Sequence, residues 1–136
     1  MPAARLRPME PLGRTRAQRL GDAAEAHVAE ILAAAGWDVL ARNVRVGRHE
    51  LDIVAVDPGP PSELVIVEVR WRASRDFGLA EETVDHRKRA RLRAAAFGLL
   101  DRGVLPDGHP LPRLPVRFDL VVVEPAGRMR HHRHAC

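Results

Sequence analysis

The chain has 136 residues, of which 46% are hydrophobic and 29% are charged, and its formal net charge is +4. This size and balance are typical of one folded domain, and no apolar run approaches the ~20 residues of a membrane-spanning helix. The single cysteine, Cys136, excludes an internal disulfide framework and a Cys-rich zinc site. The N-terminal segment MPAARLRPMEPLGRTR has basic residues but no apolar stretch typical of a secretory signal. We therefore expect a cytoplasmic protein with no membrane partner.

Helix and strand patterns follow one another in a simple order. Apolar residues recur every three to four positions from Thr15 to Gly36, which predicts a first helix. Three segments rich in β-branched residues predict strands at 39–46, 50–57 and 63–72, a second helical pattern covers about 81–102, and a last apolar strand is expected at 117–124. We expect a single domain over residues 15–124, with a disordered arm at 1–14 and a disordered tail at 125–136.

The order αβββαβ predicts the α/β fold class. Strands joined by tight turns are antiparallel neighbours, whereas a strand, helix and strand in succession form a right-handed crossover with parallel strands. We therefore expect a mixed sheet, and sheets of this kind are commonly covered by helices on both faces.

Two carboxylates are predicted to meet across the second and third strands. If the PGPPS turn pairs Asp57 with Glu63, the antiparallel register places Asp52 directly opposite Glu68. By strict alternation Glu50, Asp52 and Val54 share one face of the second strand, and Glu68 and Arg70 share one face of the third.

Opposed like charges destabilise a sheet, so something must offset their repulsion. The options are a raised carboxyl pKa, a neighbouring guanidinium such as that of Arg70, or a bound divalent cation. A simpler alternative is a polar patch on an exposed sheet face, neutralised by Arg70 and Arg72.

The chain resembles the bacterial YraN-like family over roughly residues 19–124, in the segments GDAAEAHVAEILAAAGWDVLARNVRVGRHELDIVAVD, LVIVEVRWR and VRFDLVVVE. Members of that family are uncharacterised proteins or proposed endonucleases, and they resemble Holliday-junction resolvases and the restriction-endonuclease-like PD-(D/E)xK superfamily. The resemblance implies a restriction-endonuclease-like mixed sheet flanked by helices, and an enzyme that hydrolyses phosphodiester bonds.

The motif positions of that superfamily can be carried over to this chain. Asp52 matches the metal-binding aspartate, Glu68 matches the second acidic residue, and Arg70 stands where the motif has lysine. Glu25 in the first helix matches an acidic residue of resolvase-like members. The resemblance thus implies that Asp52, Glu68 and Glu25 bind Mg²⁺ or Mn²⁺ and that Arg70 joins them in catalysis.

Two further residues are weaker candidates. Glu50 matches the glutamate of a G-E-I-D string in the family, but it lies at the start of a strand, where solvation is easy. His49 replaces the usual glycine before that glutamate and places an imidazole beside the carboxylates.

The arginine at position 70 changes the expected mechanism. Lysine can lose a proton, but arginine remains protonated in proteins. Arg70 would therefore stabilise negative charge without accepting a proton, and activation of the attacking water would depend on the metal.

The second helix carries a basic run, DHRKRARLRAAA at 85–96, which includes Lys88, the only lysine among 22 basic residues. Such runs are commonly solvated helix faces. Lys88, however, falls on the apolar stripe, so it either covers the edge of the core with its stem or points at the carboxylates or a phosphate. We predict that Lys88, Arg87, Arg91 and Arg72 contact a nucleic-acid backbone, which gives affinity without sequence preference.

The sequence thus predicts a Mg²⁺- or Mn²⁺-dependent endonuclease that acts on DNA, with branched or irregular structures as its substrates. Two other classes stay open: a nucleic-acid-binding protein without cleavage, in which Arg70 marks a relaxed site, and a protein-interaction module whose carboxylates serve folding alone. A homodimer is a further possibility, because a four-way junction offers two symmetric strands to cut.

Overall fold

The computed structural model describes residues 15–72 and 86–135, except for the side chains of Ala17 and His86. Its elements are helix α1 (Arg16–Ala34), strands β1 (Asp38–Val46), β2 (His49–Asp57) and β3 (Glu63–Trp71), helix α2 (His86–Arg102), strand β4 (Val116–Val123), a short 3₁₀ turn (Pro125–Gly127) and strand β5 (Met129–His132). Residues 81–85 of the predicted second helix and the N-terminal arm 1–14 lie outside the described residues. The mixed α/β class predicted from the sequence is confirmed.

Helix α1 begins at a capping box. The Thr15 side chain accepts a hydrogen bond from the backbone N–H of Gln18 at 3.0 Å, and the Gln18 side chain accepts one from the backbone N–H of Thr15 at 2.7 Å. These bonds satisfy backbone donors that a helix start leaves without intrahelical partners. Gly36, with φ of +93°, follows the helix and turns the chain toward β1.

The five strands form one sheet in the order β1-β2-β3-β4-β5. Strands β2 and β3 are antiparallel with Asp57 opposite Glu63, as the PGPPS turn predicted. Strand β4 is parallel to β3, which confirms the expected crossover pairing. Within residues 15–72 and 86–135, the structure adds a short 3₁₀ turn and a fifth strand to the predicted order αβββαβ.

Helices cover both faces of the sheet. On one face α1 contributes Ala24, Val28 and Leu32 to a core cluster with Ile53 and Val65. On the other face α2 contributes apolar residues to a second cluster, which contains Leu92, Ala95, Ala96 and Leu99 together with Val54, Leu64 and Ile66. The sheet therefore lies between the two helices, and polar side chains of its strands can contact α1 on one face or α2 on the other.

The regular alternation of side chains in β2 is interrupted between Leu51 and Ile53. Leu51 and Val54 both belong to the α2 cluster, although strict alternation would put them on opposite faces. The register pairs Arg42 with Ile53 and Val44 with Leu51, so Asn43 lies across from Asp52 at the break. Asn43 has φ of +53°, a conformation that interrupts regular pleating. The expectation that Glu50, Asp52 and Val54 share one face was therefore wrong.

The C-terminal segment is ordered through Ala135, which corrects the expectation of a disordered tail. Strand β5 pairs antiparallel with β4, from Leu120 opposite His132 to Val123 opposite Met129. Asp119 of β4 lies within 2.8 Å of His131 Nε2 and also accepts the backbone N–H of His134. The tail forms a strand because a buried carboxylate and the open edge of β4 supply partners for its polar groups.

Among the helices that the structure describes, none is long and apolar enough to cross a membrane.

Candidate metal and nucleic-acid site

A cavity of about 310 Å³ lies at the end of the sheet where β2 begins. Residues of β2, β3 and α2 line it, namely His49, Glu50, Asp52, Glu68, Lys88, Arg91 and Leu92. Most of the predicted site residues are thus brought to one cavity, with carboxylates from the strands facing cations from the helix.

Asp52 lies at the centre of this group. Its Oδ2 atom accepts a hydrogen bond from the backbone N–H of Val69 at 2.9 Å, just beyond the last Cα pair of the β2–β3 ladder, Ile53 and Val67. Burial, and then the negative charge of Glu68, raise the pKa of Asp52 to about 8, although the Val69 hydrogen bond opposes the change. Without a cation, Asp52 therefore keeps its proton to a higher pH than a solvated carboxyl does.

Three carboxylates form a potential ligand set, which we call the carboxylate cluster: Glu25, Glu50 and Asp52. One ligand oxygen from each lies within 4.8 Å of the other two. Glu25 comes from α1 and is 8% exposed, whereas Glu50 is exposed at the start of β2. The resemblance implies Glu68 as the third ligand, whereas the structure brings Glu50 to Glu25 and Asp52.

Glu68 instead contacts two cations. Its Oε1 atom is 2.9 Å from Lys88 Nζ and 3.5 Å from Arg70 Nε. Lys88 therefore extends from α2 to the carboxylates, which decides between the two orientations that the sequence left open. Glu68 remains close enough to Asp52 to raise its pKa, so it lies between the carboxylate cluster and the cations.

The other predicted cations are more dispersed. Arg91 lines the cavity from α2, one turn beyond Lys88. Arg87 is exposed on the same helix, and Arg72 follows β3, where its backbone N–H donates to the Val123 carbonyl at 2.9 Å. Neither Arg87 nor Arg72 lines the cavity.

Sequence reasoning missed Asn43. With its amide nitrogen oriented toward the carboxylates, as its partners require, Asn43 Nδ2 donates to Glu25 Oε1 at 2.6 Å and to Glu50 Oε1 at 3.1 Å. The available signal was an asparagine within a β-branched run, since asparagine is depleted in strands and tolerates positive φ.

The donor set fits a hard divalent cation. Carboxylate oxygens are the ligands that Mg²⁺ and Mn²⁺ prefer, and these ions commonly keep several waters. Exposed Glu50 leaves one side of the cluster accessible to solvent. The carboxylate cluster could therefore bind such an ion, and Lys88 and Arg91 could face a bound anion across the cavity.

Comparison with known proteins identifies the family. The sequence profile of the uncharacterised protein family UPF0102 matches residues 24–123. A UPF0102 protein of Roseiflexus castenholzii is 44% identical over 108 residues, covering 79% of this chain and 81% of the relative. A UPF0102 protein of Symbiobacterium thermophilum is 41% identical over 116 residues, covering 83% of this chain and 90% of the relative.

These similarities agree with the YraN-like resemblance of the sequence, while the relation to nucleases stays a prediction. The matched residues include the carboxylate cluster, Glu68 and Lys88. The chain belongs to the uncharacterised protein family UPF0102.

Proposed function

We propose that the protein is a Mg²⁺- or Mn²⁺-dependent endonuclease that hydrolyses phosphodiester bonds in DNA, preferentially at branched or irregular structures. The observation that carries this proposal is the carboxylate cluster, whose oxygens converge within 4.8 Å beside a cavity that also contains Lys88 and Arg91. The architecture supports it further, since a mixed sheet between two helices is what the nuclease resemblance implies.

Hydrolysis of a phosphodiester adds the oxygen of water to phosphorus and releases one ester oxygen. That oxygen takes up a proton as the alcohol, and the new phosphate monoester releases the second proton of water to solvent. A divalent cation at the cluster would lower the pKa of water and neutralise charge on the phosphate.

The chain's own cations then have separate tasks. Lys88, placed by its contact with Glu68, can donate to a non-bridging phosphate oxygen, and Arg91 can hold the neighbouring phosphate of the backbone. Arg70 contributes a fixed positive charge behind Glu68. None of these contacts reads a base edge, which favours recognition of DNA shape over sequence.

The test is cleavage of labelled DNA by the full chain. Linear duplex, flap and four-way substrates are incubated with Mg²⁺, Mn²⁺ or a chelator, and Asp52→Asn is compared with wild type. Glu30→Gln serves as the matched control, because Glu30 is an exposed glutamate on α1, five residues after Glu25. We expect metal-dependent cleavage by wild type and Glu30→Gln, fastest on the branched substrates, and a loss of at least about 100-fold in Asp52→Asn.

Thermal unfolding with Mn²⁺ separates the alternatives. Binding to the folded state raises stability by RT ln(1 + [L]/Kd), so the melting temperature of wild type should rise and that of Asp52→Asn should not. DNA binding without cleavage of any substrate would overturn the catalytic proposal in favour of a binding protein. Absence of both cleavage and a metal-dependent shift would leave the carboxylates with a role in folding only.

A further inference from the structure

The left-handed residue in β1 lies beside the carboxylates of the proposed metal site. Asn43, with φ of +53°, interrupts an edge strand at the position across from Asp52. A non-glycine residue at positive φ inside a strand is uncommon and persists when surrounding contacts stabilise it. Here the contacts are hydrogen bonds to two members of the carboxylate cluster.

We infer that Asn43 is a positioning residue for the carboxylate cluster: its amide bridges Glu25 and Glu50 and holds both carboxylates as acceptors for a divalent cation. This inference rests on the proposed function. Asn43 would not bind the cation itself and acts through the two glutamates that it contacts.

The geometry explains why an amide suits this position. Glu25 comes from α1 and Glu50 from β2, so neither element fixes the position of the other carboxylate. The two hydrogens of one amide nitrogen reach both, at 2.6 Å to Glu25 Oε1 and 3.1 Å to Glu50 Oε1. Asn43 engages Oε1 of each carboxylate.

The amide also offsets repulsion within the cluster. Two carboxylates this close repel each other, and the amide donates a hydrogen bond to both. The amide supplies donors without adding charge, whereas a lysine or arginine at this position would repel the cation. Partners that orient metal ligands in this way commonly change metal affinity by about 10-fold to 100-fold when they are removed.

Mn²⁺ affinity of Asn43→Gly, measured by titration calorimetry, tests the inference. Glycine adopts positive φ without strain, so the variant removes the amide and keeps the backbone conformation. We expect Mn²⁺ to bind about 10-fold to 100-fold more weakly than in wild type. Arg42→Gly is the matched control, because Arg42 is the exposed neighbour in β1 and its loss leaves the amide in place. That control should bind Mn²⁺ at least as tightly as wild type.

A second measurement does not depend on metal. In ¹⁵N NMR spectra of the metal-free protein, the Asn43 side-chain amide resonances should shift in Glu25→Gln and in Glu50→Gln but not in Glu30→Gln. Amide resonances insensitive to both site variants would overturn the inference, and so would equal Mn²⁺ affinity in wild type and Asn43→Gly. If wild type shows the amide contacts but binds no Mn²⁺, the proposed function fails. The role of Asn43 toward a cation then fails too, and Asn43 only holds the two glutamates together.

Discussion

At the scale of single residues, Asp52 is the group whose charge depends most on its surroundings. Its carboxyl ordinarily titrates near 3.8, but burial and then Glu68 raise its pKa to about 8 in the fold. Between these pH values the folded protein retains a proton that the unfolded chain releases. The free energy of unfolding therefore falls as pH rises through this window.

Asp52→Asn should remove this dependence in the metal-free protein. The asparagine still accepts the Val69 N–H through its oxygen and carries no charge to bury. The melting temperature of the variant, relative to wild type, should thus increase from pH 4 to pH 9. Circular dichroism melts in the presence of chelator measure this difference. The control is Asp101→Asn, which changes an exposed carboxylate on α2, and a similar trend in that control would contradict the explanation.

Glu25 and Asn43 show what residue patterns can and cannot predict. Glu25 was assigned to the site through the resemblance, because it matches an acidic residue of resolvase-like members, and the structure brings it to within 4.8 Å of Asp52. Asn43 was missed because its positive φ and its contacts with Glu25 of α1 and Glu50 of β2 appear only in the folded structure. Glu50 joins Glu25 and Asp52 in the cluster, where the resemblance had implied Glu68.

At the scale of elements, two different elements supply cations to Glu68. Strand β3 carries Arg70, at the position of the motif lysine in the resembled superfamily, and helix α2 carries Lys88, whose Nζ is the closer at 2.9 Å. Arginine on the strand is a fixed charge, so the lysine on the helix is the one cation here with a compact, movable ammonium.

Under the proposed function, Lys88→Ala and Arg70→Ala should each lower the DNA cleavage rate about 100-fold, the usual loss for a group that stabilises developing charge. Lys88→Arg should retain most activity if charge alone is required. Arg89→Ala is the control, because Arg89 is exposed on the same helix next to Lys88. A rate unchanged in Lys88→Ala would mean that the strand cation suffices and that α2 only covers the cavity.

Element pairing was predictable wherever it was set locally. The PGPPS turn fixes Asp57 opposite Glu63, and the β3–α2–β4 order fixes a parallel β4. Strand β5 was not predictable, since the sequence MRHH lacks an apolar pattern. Its pairing depends on Asp119 and on the open edge of β4, which exist only in the folded sheet.

At the scale of the whole molecule, Arg117 connects the strands at the opposite end of the sheet from the cavity. Its side chain is 2% exposed and contacts Asp57 of β2 at 3.0 Å, Glu63 of β3 at 2.9 Å and Asp119 of β4 at 2.9 Å. Asp119 continues the network to His131 of β5. Strands that are far apart in sequence are therefore joined by one buried cation and its acidic partners.

These contacts determine how the protein responds to acid. Burial by itself would raise the pKa of Asp119, but hydrogen bonds from His131 and Arg117 outweigh it and hold the pKa below its usual value. The pKa of Asp57 is lowered in the same way, since the Gly59 N–H and Arg117 outweigh its burial. Both carboxylates thus stabilise the fold above the unfolded value near 3.8, and this contribution is lost as pH falls through their folded values.

Arg117→Met tests this network, because it preserves apolar bulk but leaves the buried carboxylates without their cation. Removing one partner of a buried ion pair commonly costs about 3 to 5 kcal/mol, and we expect a loss of this size at pH 7 in urea unfolding. The difference from wild type should shrink below pH 4, since protonated Asp57 and Asp119 no longer need a counter-charge. Arg113→Met, at an exposed arginine in the loop before β4, should be nearly neutral at both pH values. A loss in Arg117→Met that stays constant with pH would show that packing of the guanidinium against Trp37, 5.4 Å from the ring centroid, outweighs its charge.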